Sequence, residues 1–410
     1  MAAKDFFRVV SLQQATVAAG SFEPVGTERL PLADALGRRL GEDVVAALDV
    51  PGFDRATMDG YAVAASSTFG ASEANPALLR VVGSVDMGQG TALRLGPGEA
   101  ARIATGGMLP AGADAVVMVE HTEEIDGESI EASRSVAPGQ HVLGRGEDVR
   151  RGETVLPRGA RLRAQELGLL AALGRTELAV HRRPLVAIIS TGDEVVPIER
   201  EPGPGQIRDV NSTTLAAMVE QAGAVPRSLG LVADDPAALG ASSRRALAEA
   251  DAVLLSGGSS VGARDYTLEV IAALPDAELL LHGVGIKPGK PTLLARVGRK
   301  PFWGLPGQVT SAMVVFQLLV RPCLERLGGA VTPEARVRAR ARISRNVASV
   351  HGRADFVRVR LREEAGELWA DPILGPSGLV RTMTQADGLV EIGTDVEGLD
   401  AGAPVWVTAL

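Results

Sequence analysis

Residues 185–194 read LVAIISTGDE and residues 252–262 read AVLLSGGSSVG: two apolar runs that each give way, at the carboxyl end, to hydroxyls, glycines or acids. A continuous apolar run between turn residues suits a strand buried on both faces, as in a parallel sheet covered by helices. The pattern extends outward from both. A strand over 185–190 is followed by a helix over 212–222, with Asn211 as N-cap and Gly223 as stop, and by a strand over 228–232. Asp234 and Asp235 precede Pro236, a favoured first helical residue, and the helix it opens runs to Ala250 before the strand at 252–255. A helix from near Tyr266, extended stretches at 291–297 and 301–305, and an amphipathic helix over 311–327 complete the series. Residues 184–328 are therefore expected to form a wound α/β domain.

The flanks differ in character. VRARARIS, FVRVRLRE and PVWVTAL near the C-terminus alternate polar and apolar residues at period two, which predicts a small β-barrel or sandwich. Residues 28–183 carry β-type runs between glycine turns and one helix over 164–173, so they form one or two β-rich domains. Ser11 and Gln14 stand in capping-box spacing, which predicts a short N-terminal helix. A chain of 410 residues exceeds the usual size of one core, and 3% aromatics beside 48 glycines imply several aliphatic cores. The net charge of −8 and scattered arginines argue against nucleic acid. No apolar run approaches the roughly 20 residues of a membrane span, and charge enters MAAKDFFRVV too early for a secretory signal, so the expected setting is cytoplasmic. The single cysteine, Cys323, cannot form an internal disulfide and reads as core.

Ligands of open α/β sheets bind outside the carboxyl ends of the strands. Those positions here hold Thr191, Gly192, Asp193 and Glu194; Asp234 and Asp235; Ser256, Gly257, Gly258, Ser260 and Gly262, with Asp265 beyond; and Pro306 and Gly307. Hydroxyls, bare glycine backbone and carboxylates at one edge suit a phosphorylated ligand with a divalent cation. Each also has a plainer reading. Asp234 and Asp235 can be helix caps, SGGSSVG a flexible turn, and Lys287 and Lys290 of IKPGKP solvated surface lysines, although the prolines fix where those lysines point. In PGFDRATMDGYAV the charges of Asp54, Arg55 and Asp59 interrupt an apolar segment, and Thr105-Gly106-Gly107 interrupts another; a salt bridge or a turn explains either.

In order along the chain, LPLADALGRRLGEDV, DVPGFDRATMDGYAV, RIATGGMLPAGADAVV, SGGSSVGARDYT, GIKPGKPT and GLPG resemble the molybdopterin molybdenumtransferases, the family that includes the E domain of gephyrin. The resemblance spans nearly the whole chain. It implies a mixed α/β multidomain fold: an N-terminal helix in 1–27 packed on the α/β domain, a linking domain of 28–52 and 145–183, an inserted β-rich arm of 53–144, a Rossmann-like molybdopterin-binding α/β domain of 184–328 and a C-terminal β-barrel of 329–410. It also implies an elongated homodimer with its active site between subunits, and a molybdopterin adenylyltransferase as a further partner. The activity implied is Mg²⁺-dependent insertion of molybdate into adenylylated molybdopterin with release of AMP.

By the same resemblance Asp59, Thr105, Glu194, Asp234, Asp265 and Pro306 are catalytic, and Asp59, Glu194, Asp234 and Asp265 hold Mg²⁺. Thr191, Gly192, Asp193, Ser256 to Gly262 and Gly307 contact the cofactor, Lys287 and Lys290 hold the oxyanion or phosphate, and Arg353 and Ser377 close the site from the barrel. Where the family loop reads Leu-Pro-Gly-Asn-Pro-Val-Ser, this chain has Gln308 and Val309, which leaves molybdate against tungstate open; Ala56-Thr57 also departs from the usual Ser-Ala. The competing readings are an adenylyltransferase of the same pathway, which does not need the arm or the barrel, and a scaffold, for which no fused partner-binding domain is present. Asp59→Ala and Asp265→Ala are each expected to leave the melting temperature in place and abolish AMP release; activity retained in both would remove the metal assignment.

Overall fold

The computed structural model describes residues 8–257 and 266–410. Among these, a six-stranded sheet runs in the order Val225–Val232, Leu185–Thr191, Ala252–Ser256, Lys300–Leu305, Leu293–Val297 and Ala277–His282. The first four strands are parallel, and Leu293–Val297 runs antiparallel to both of its neighbours. Successive side chains enter different cores. Val186, Ile188, Leu254 and Trp303 pack under the helices Asn211–Gln221 and Val309–Val315, whereas Ala187, Ile189, Val253 and Phe302 pack under Pro236–Glu249 and Tyr266–Ala272. That two-sided burial is why these strands read as unbroken apolar runs. The N-terminal helix Leu12–Ala19 has the Ser11/Gln14 capping box in place and buries Ala15 and Ala19 in the first of these cores.

Two helices differ from expectation. Asn211 does not cap its helix: it is the first helical residue, and the buried Asp209 carboxylate accepts the Ser212 N–H at 3.0 Å in its place. The segment expected as one helix over 311–327 is divided into Val309–Val315, a π-helical turn Phe316–Val320 and Arg321–Leu327. Pro322 has no N–H to continue the α pattern, and the Arg321 N–H reaches back to the Phe316 carbonyl. The Gln317 carbonyl in that turn accepts a hydrogen bond from the Arg336 guanidinium.

The arm is a second six-stranded sheet, in the order Ala115–Met118, Gly60–Val63, Glu99–Ile103, Ala77–Val85, Ser129–Ala132 and Thr122–Glu124, among the described residues. Tyr61 and Val63 face one apolar cluster and Ala62 and Ile103 the other. Between arm and α/β domain, Thr27–Pro31 pairs with Glu177–His181 and Val44–Val45 with Thr154–Leu156, beside the helix Ala164–Ala172. At the C-terminus the strands Ala354–Glu364, Glu367–Pro372, Arg338–Ile343, Pro404–Ala409 and Gly388–Ile392 close into a barrel, because the last pairs back with the first. One further strand joins it from outside: Ile286–Lys287 of the α/β domain pairs in parallel with Ala354 and Asp355.

Leu254 is fully buried in the central parallel strand. Leu254→Ala is expected to cost about 2–5 kcal/mol in urea unfolding, the range for emptying a close-packed site.

Candidate active site

A cleft of about 1100 Å³ opens at the carboxyl ends of the parallel strands and is closed on its far side by the barrel. Thr191, Gly192, Glu194, Asp234, Ser256, Gly257, Pro306 and Gly307 line it from the sheet. Lys287 and Lys290 line it from the IKPGKP turn, and Arg353 and Ser377 from the barrel. Asp193 is exposed and does not line it. Gly258, Ser260, Gly262 and Asp265 lie outside the described residues.

Backbone geometry selects the glycines in the floor. Gly257 has φ +105°, and a Cβ there would sit 2.1 Å from the Thr191 carbonyl oxygen. Gly192 has φ +144°, and its Cβ would meet Val195 Cγ2 at 2.8 Å. Another residue at Gly257 would displace the end of the Thr191 strand, and one at Gly192 would be strained by the positive φ and crowd Val195. The strand ends are also tied together by residues that the sequence reading did not place in the site. The Asn211 amide donates to Ser256 Oγ at 2.7 Å and to the Gly307 carbonyl at 2.8 Å, linking the two central strand ends. Ser190 Oγ lies 2.8 Å from Ser212 Oγ and donates to Asp209 at 3.2 Å. The signal for these is the polar string Arg208-Asp209-Val210-Asn211-Ser212, of which the sequence reading places only Asn211 and Ser212, as cap and start of a helix.

The two acids before Pro236 divide their roles. Asp235 caps its helix, accepting the Ala238 N–H at 2.8 Å. Asp234 turns instead to the cleft, where it accepts a hydrogen bond from Thr191 Oγ1 at 3.2 Å. Burial, together with the charges of Asp193 and Glu194, holds the Asp234 carboxyl above the usual aspartate range, against the opposing pull of Thr191. The described residues contain no group of three or more His, Cys, Asp or Glu side chains placed to hold a metal ion, though Glu194 and Asp234 share the cleft.

The opposite wall is cationic. Gly289, at φ +116°, is pressed against the helix behind it, so that a Cβ would lie 2.5 Å from Val315 Cγ2. Thr292 Oγ1 donates to the Gly289 carbonyl at 2.6 Å, and the Lys290 carbonyl accepts from Val284 N and Thr292 N at 3.0 and 2.9 Å. The lysine turn is thus a fixed element. Asp355, a barrel residue missed in the sequence, bonds Arg353 Nε at 2.8 Å and lies 3.8 Å from Lys287 Nζ. The barrel loop is held by the buried Arg358, which donates to Thr382 Oγ1 at 2.5 Å and to the Gly375 carbonyl at 2.8 Å. The Ser377 carbonyl accepts the Thr310 N–H at 3.1 Å. Val309, where the family loop has proline, is buried at the first position of its helix, a place that accepts either residue.

Asp59 and Thr105 stand together on the arm and do not line the cleft of their own chain. Asp59 Oδ1 accepts from the Thr105 backbone N–H at 2.7 Å and from its hydroxyl at 2.9 Å. These bonds hold the Asp59 carboxyl below the usual range. It is a solvent-facing carboxylate kept ionised and oriented.

A wound α/β domain with a polar cleft at its strand ends, joined to a β-rich arm and a closed barrel, defines a multidomain protein of the class that places its ligand site at the sheet edge. Three family models cover the chain in succession: the MoeA N-terminal region (domain I and II) over 10–174, a probable molybdopterin binding domain over 187–326, and the MoeA C-terminal region (domain IV) over 340–410. Molybdopterin molybdenumtransferase 2 of Mycobacterium tuberculosis is 38% identical over 386 residues, covering 92% of this chain and 94% of the relative. Molybdopterin molybdenumtransferase of Bacillus subtilis is 33% identical over 385 residues, with 93% and 89% covered. A crystal structure of the molybdopterin biosynthesis MoeA protein from Pyrococcus horikoshii superposes with a TM-score of 0.84 at 34% identity, covering 98% of this chain and all of that one. The chain belongs to the molybdopterin molybdenumtransferase family, enzymes of molybdenum-cofactor biosynthesis.

Because its folded-state pKa is raised, Asp234 opposes folding once it ionises: wild-type stability falls as pH rises from the unfolded value of 3.8 through the folded one. Asp234→Asn keeps an acceptor for Thr191 without the charge. It is expected to match wild type in acid and to melt at an equal or higher temperature at neutral pH, while losing activity; a stability loss that grows with pH would contradict the electrostatic account.

Proposed function

We propose that the chain inserts molybdate into adenylylated molybdopterin and releases AMP, in a homodimer whose cleft is completed by Asp59 and Thr105 of the partner subunit. The observation that supports this most is the pairing of walls in one cleft: Glu194 and Asp234 on the sheet side, Lys287, Lys290 and Arg353 on the other. A dinucleotide-like pyrophosphate and a tetrahedral oxyanion are both anionic, so the basic wall receives the oxyanion while Ser256 and Gly257 offer hydroxyl and backbone N–H to the pterin phosphate. The acidic wall suits a hard cation, since Glu194 and Asp234 share the cleft and burial, with the charges of Asp193 and Glu194, disfavours the ionised Asp234. Glu194, Asp234 and Asp265 of one subunit, with Asp59 of the partner subunit, would hold Mg²⁺. When bound, the ion supplies charge neutralisation to the pyrophosphate being cleaved.

The chain's own contribution is positioning. The hydrogen-bonded lysine turn and the Asn211 ties make each wall rigid in itself, so that oxyanion and pyrophosphate would meet preformed surfaces with little freedom left to lose. The arm separates Asp59 and Thr105 from the cleft of their own chain, which is the arrangement expected if a second copy supplies them. We place the reaction in the cytoplasm; no helix among the described residues is long and apolar enough to cross a membrane.

The test is AMP release from adenylylated molybdopterin by the purified protein with Mg²⁺, with molybdate, with tungstate and with neither. Molybdate-dependent release supports the proposal. A response to tungstate alone would move attention to Gln308 and Val309, and release with neither anion would favour a pyrophosphate-cleaving relative of the same fold.

A further inference from the structure

Asp355 sits where the two domains meet the cleft, and nothing in the family motifs assigns it a role. Its side chain is 6% exposed, whereas those of its partners Arg353 and Lys287 are 34% and 61% exposed. Its backbone is fixed on both sides, pairing with Lys287 across the short parallel ladder and with Ile392 inside the barrel. From that anchored position the carboxylate takes Arg353 side-on, Oδ1 to Nε at 2.8 Å and Oδ2 to the Nη2 nitrogen at 3.4 Å. The same Oδ2 faces Lys287 Nζ at 3.8 Å. Arg353 and Lys287 both line the cleft; Asp355 does not.

We propose that Asp355 is a positioning residue: one buried carboxylate that orients a guanidinium from the barrel and an ammonium from the α/β domain, so that together they form a subsite for a tetrahedral oxyanion. The side-on pairing uses the Nε edge of Arg353 and leaves the other Nη1 donors for a ligand. Two opposite effects would follow from losing the charge at position 355. The site would become more positive, which attracts anions, and its cations would lose their geometry, which weakens a shaped site. Geometry wins here, because Lys287 is solvent-exposed and screened, and extra unpaired charge at such a place contributes little, whereas a guanidinium fork binds oxyanions only when aimed.

The proposal rests on the oxyanion role given to this cleft, so its test is kept separate from the AMP assay. Sodium molybdate is titrated calorimetrically into wild type, Asp355→Asn, Asp355→Glu and Arg353→Lys, with a thermal melt of each. Asp355→Asn and Arg353→Lys are expected to bind about tenfold more weakly, and Asp355→Glu within about threefold of wild type, as befits loss and rescue of a charge-assisted clamp. In turnover, the molybdate KM should rise with kcat nearly unchanged. Equal or tighter binding by a folded Asp355→Asn, with steeper salt dependence, would show that charge rather than geometry governs and would overturn the proposal. If Asp355→Asn does not fold, Arg353→Lys and Asp355→Glu decide it: an Arg353→Lys affinity equal to wild type refutes the aimed fork. No molybdate binding by wild type also overturns it. The expected ranking without molybdate-dependent AMP release would preserve the subsite and refute the reaction.

Discussion

The cleft depends on a two-residue ladder. Ile286 and Lys287, in the turn between the strands Ala277–His282 and Leu293–Val297, pair with Ala354 and Asp355 of the barrel. The Ala354 N–H also donates to the Gly285 carbonyl at 2.9 Å. Backbone pairing leaves little freedom, since a slip of one residue would turn every side chain to the opposite face. The cations of the cleft therefore move with the barrel as well as with the sheet. Shared apolar packing supports the ladder: Ala354, Phe356 and Leu389 of the barrel lie in the same core as Ile286, Val315 and the N-terminal helix.

With that wall placed, the opposing wall follows from parallel-sheet geometry. Four parallel strands end at one edge, and the chain uses Gly192 and Gly257 there because the backbone takes positive φ or passes close to a neighbour. Asp209, Asn211, Ser190 and Ser212 then bind the ends together with side-chain hydrogen bonds. The result holds acids on one side and bases on the other, and it leaves the ionised Asp234 with an electrostatic penalty. A group that opposes folding while facing a cleft is the usual mark of selection for function over stability.

The helix behind the lysine turn also carries an irregularity. Pro322 interrupts it, a π-helical turn absorbs the interruption, and Arg336 from the approach to the barrel bonds the Gln317 carbonyl there. A helix irregularity thus becomes another link between the α/β domain and the approach to the barrel.

Much of this was legible in the amino-acid sequence, because the information was local. Apolar runs buried on two faces announced the parallel strands, period-two alternation announced the barrel, and the Ser11/Gln14 spacing announced a capped helix; each depends only on neighbours in the chain. The strand-end residues and the lysine turn could be read for the same reason. Other features required the fold. Asp234 and Asp235 are chemically identical and adjacent, and only the position of Thr191 on the neighbouring strand separates the acid of the cleft from the cap. Asn211 read as a cap until the sheet brought Ser256 and Gly307 within reach of its amide. Asp355 looked like one more residue of an alternating strand, and beside its near neighbour Arg353 it acquired Lys287 as a partner when a turn 68 positions earlier became the barrel's outer strand. The sequence determined the elements and their chemical inventory; the tertiary structure decided which groups meet, because a hydrogen bond or ion pair depends on distances of a few ångströms that sequence separation does not encode.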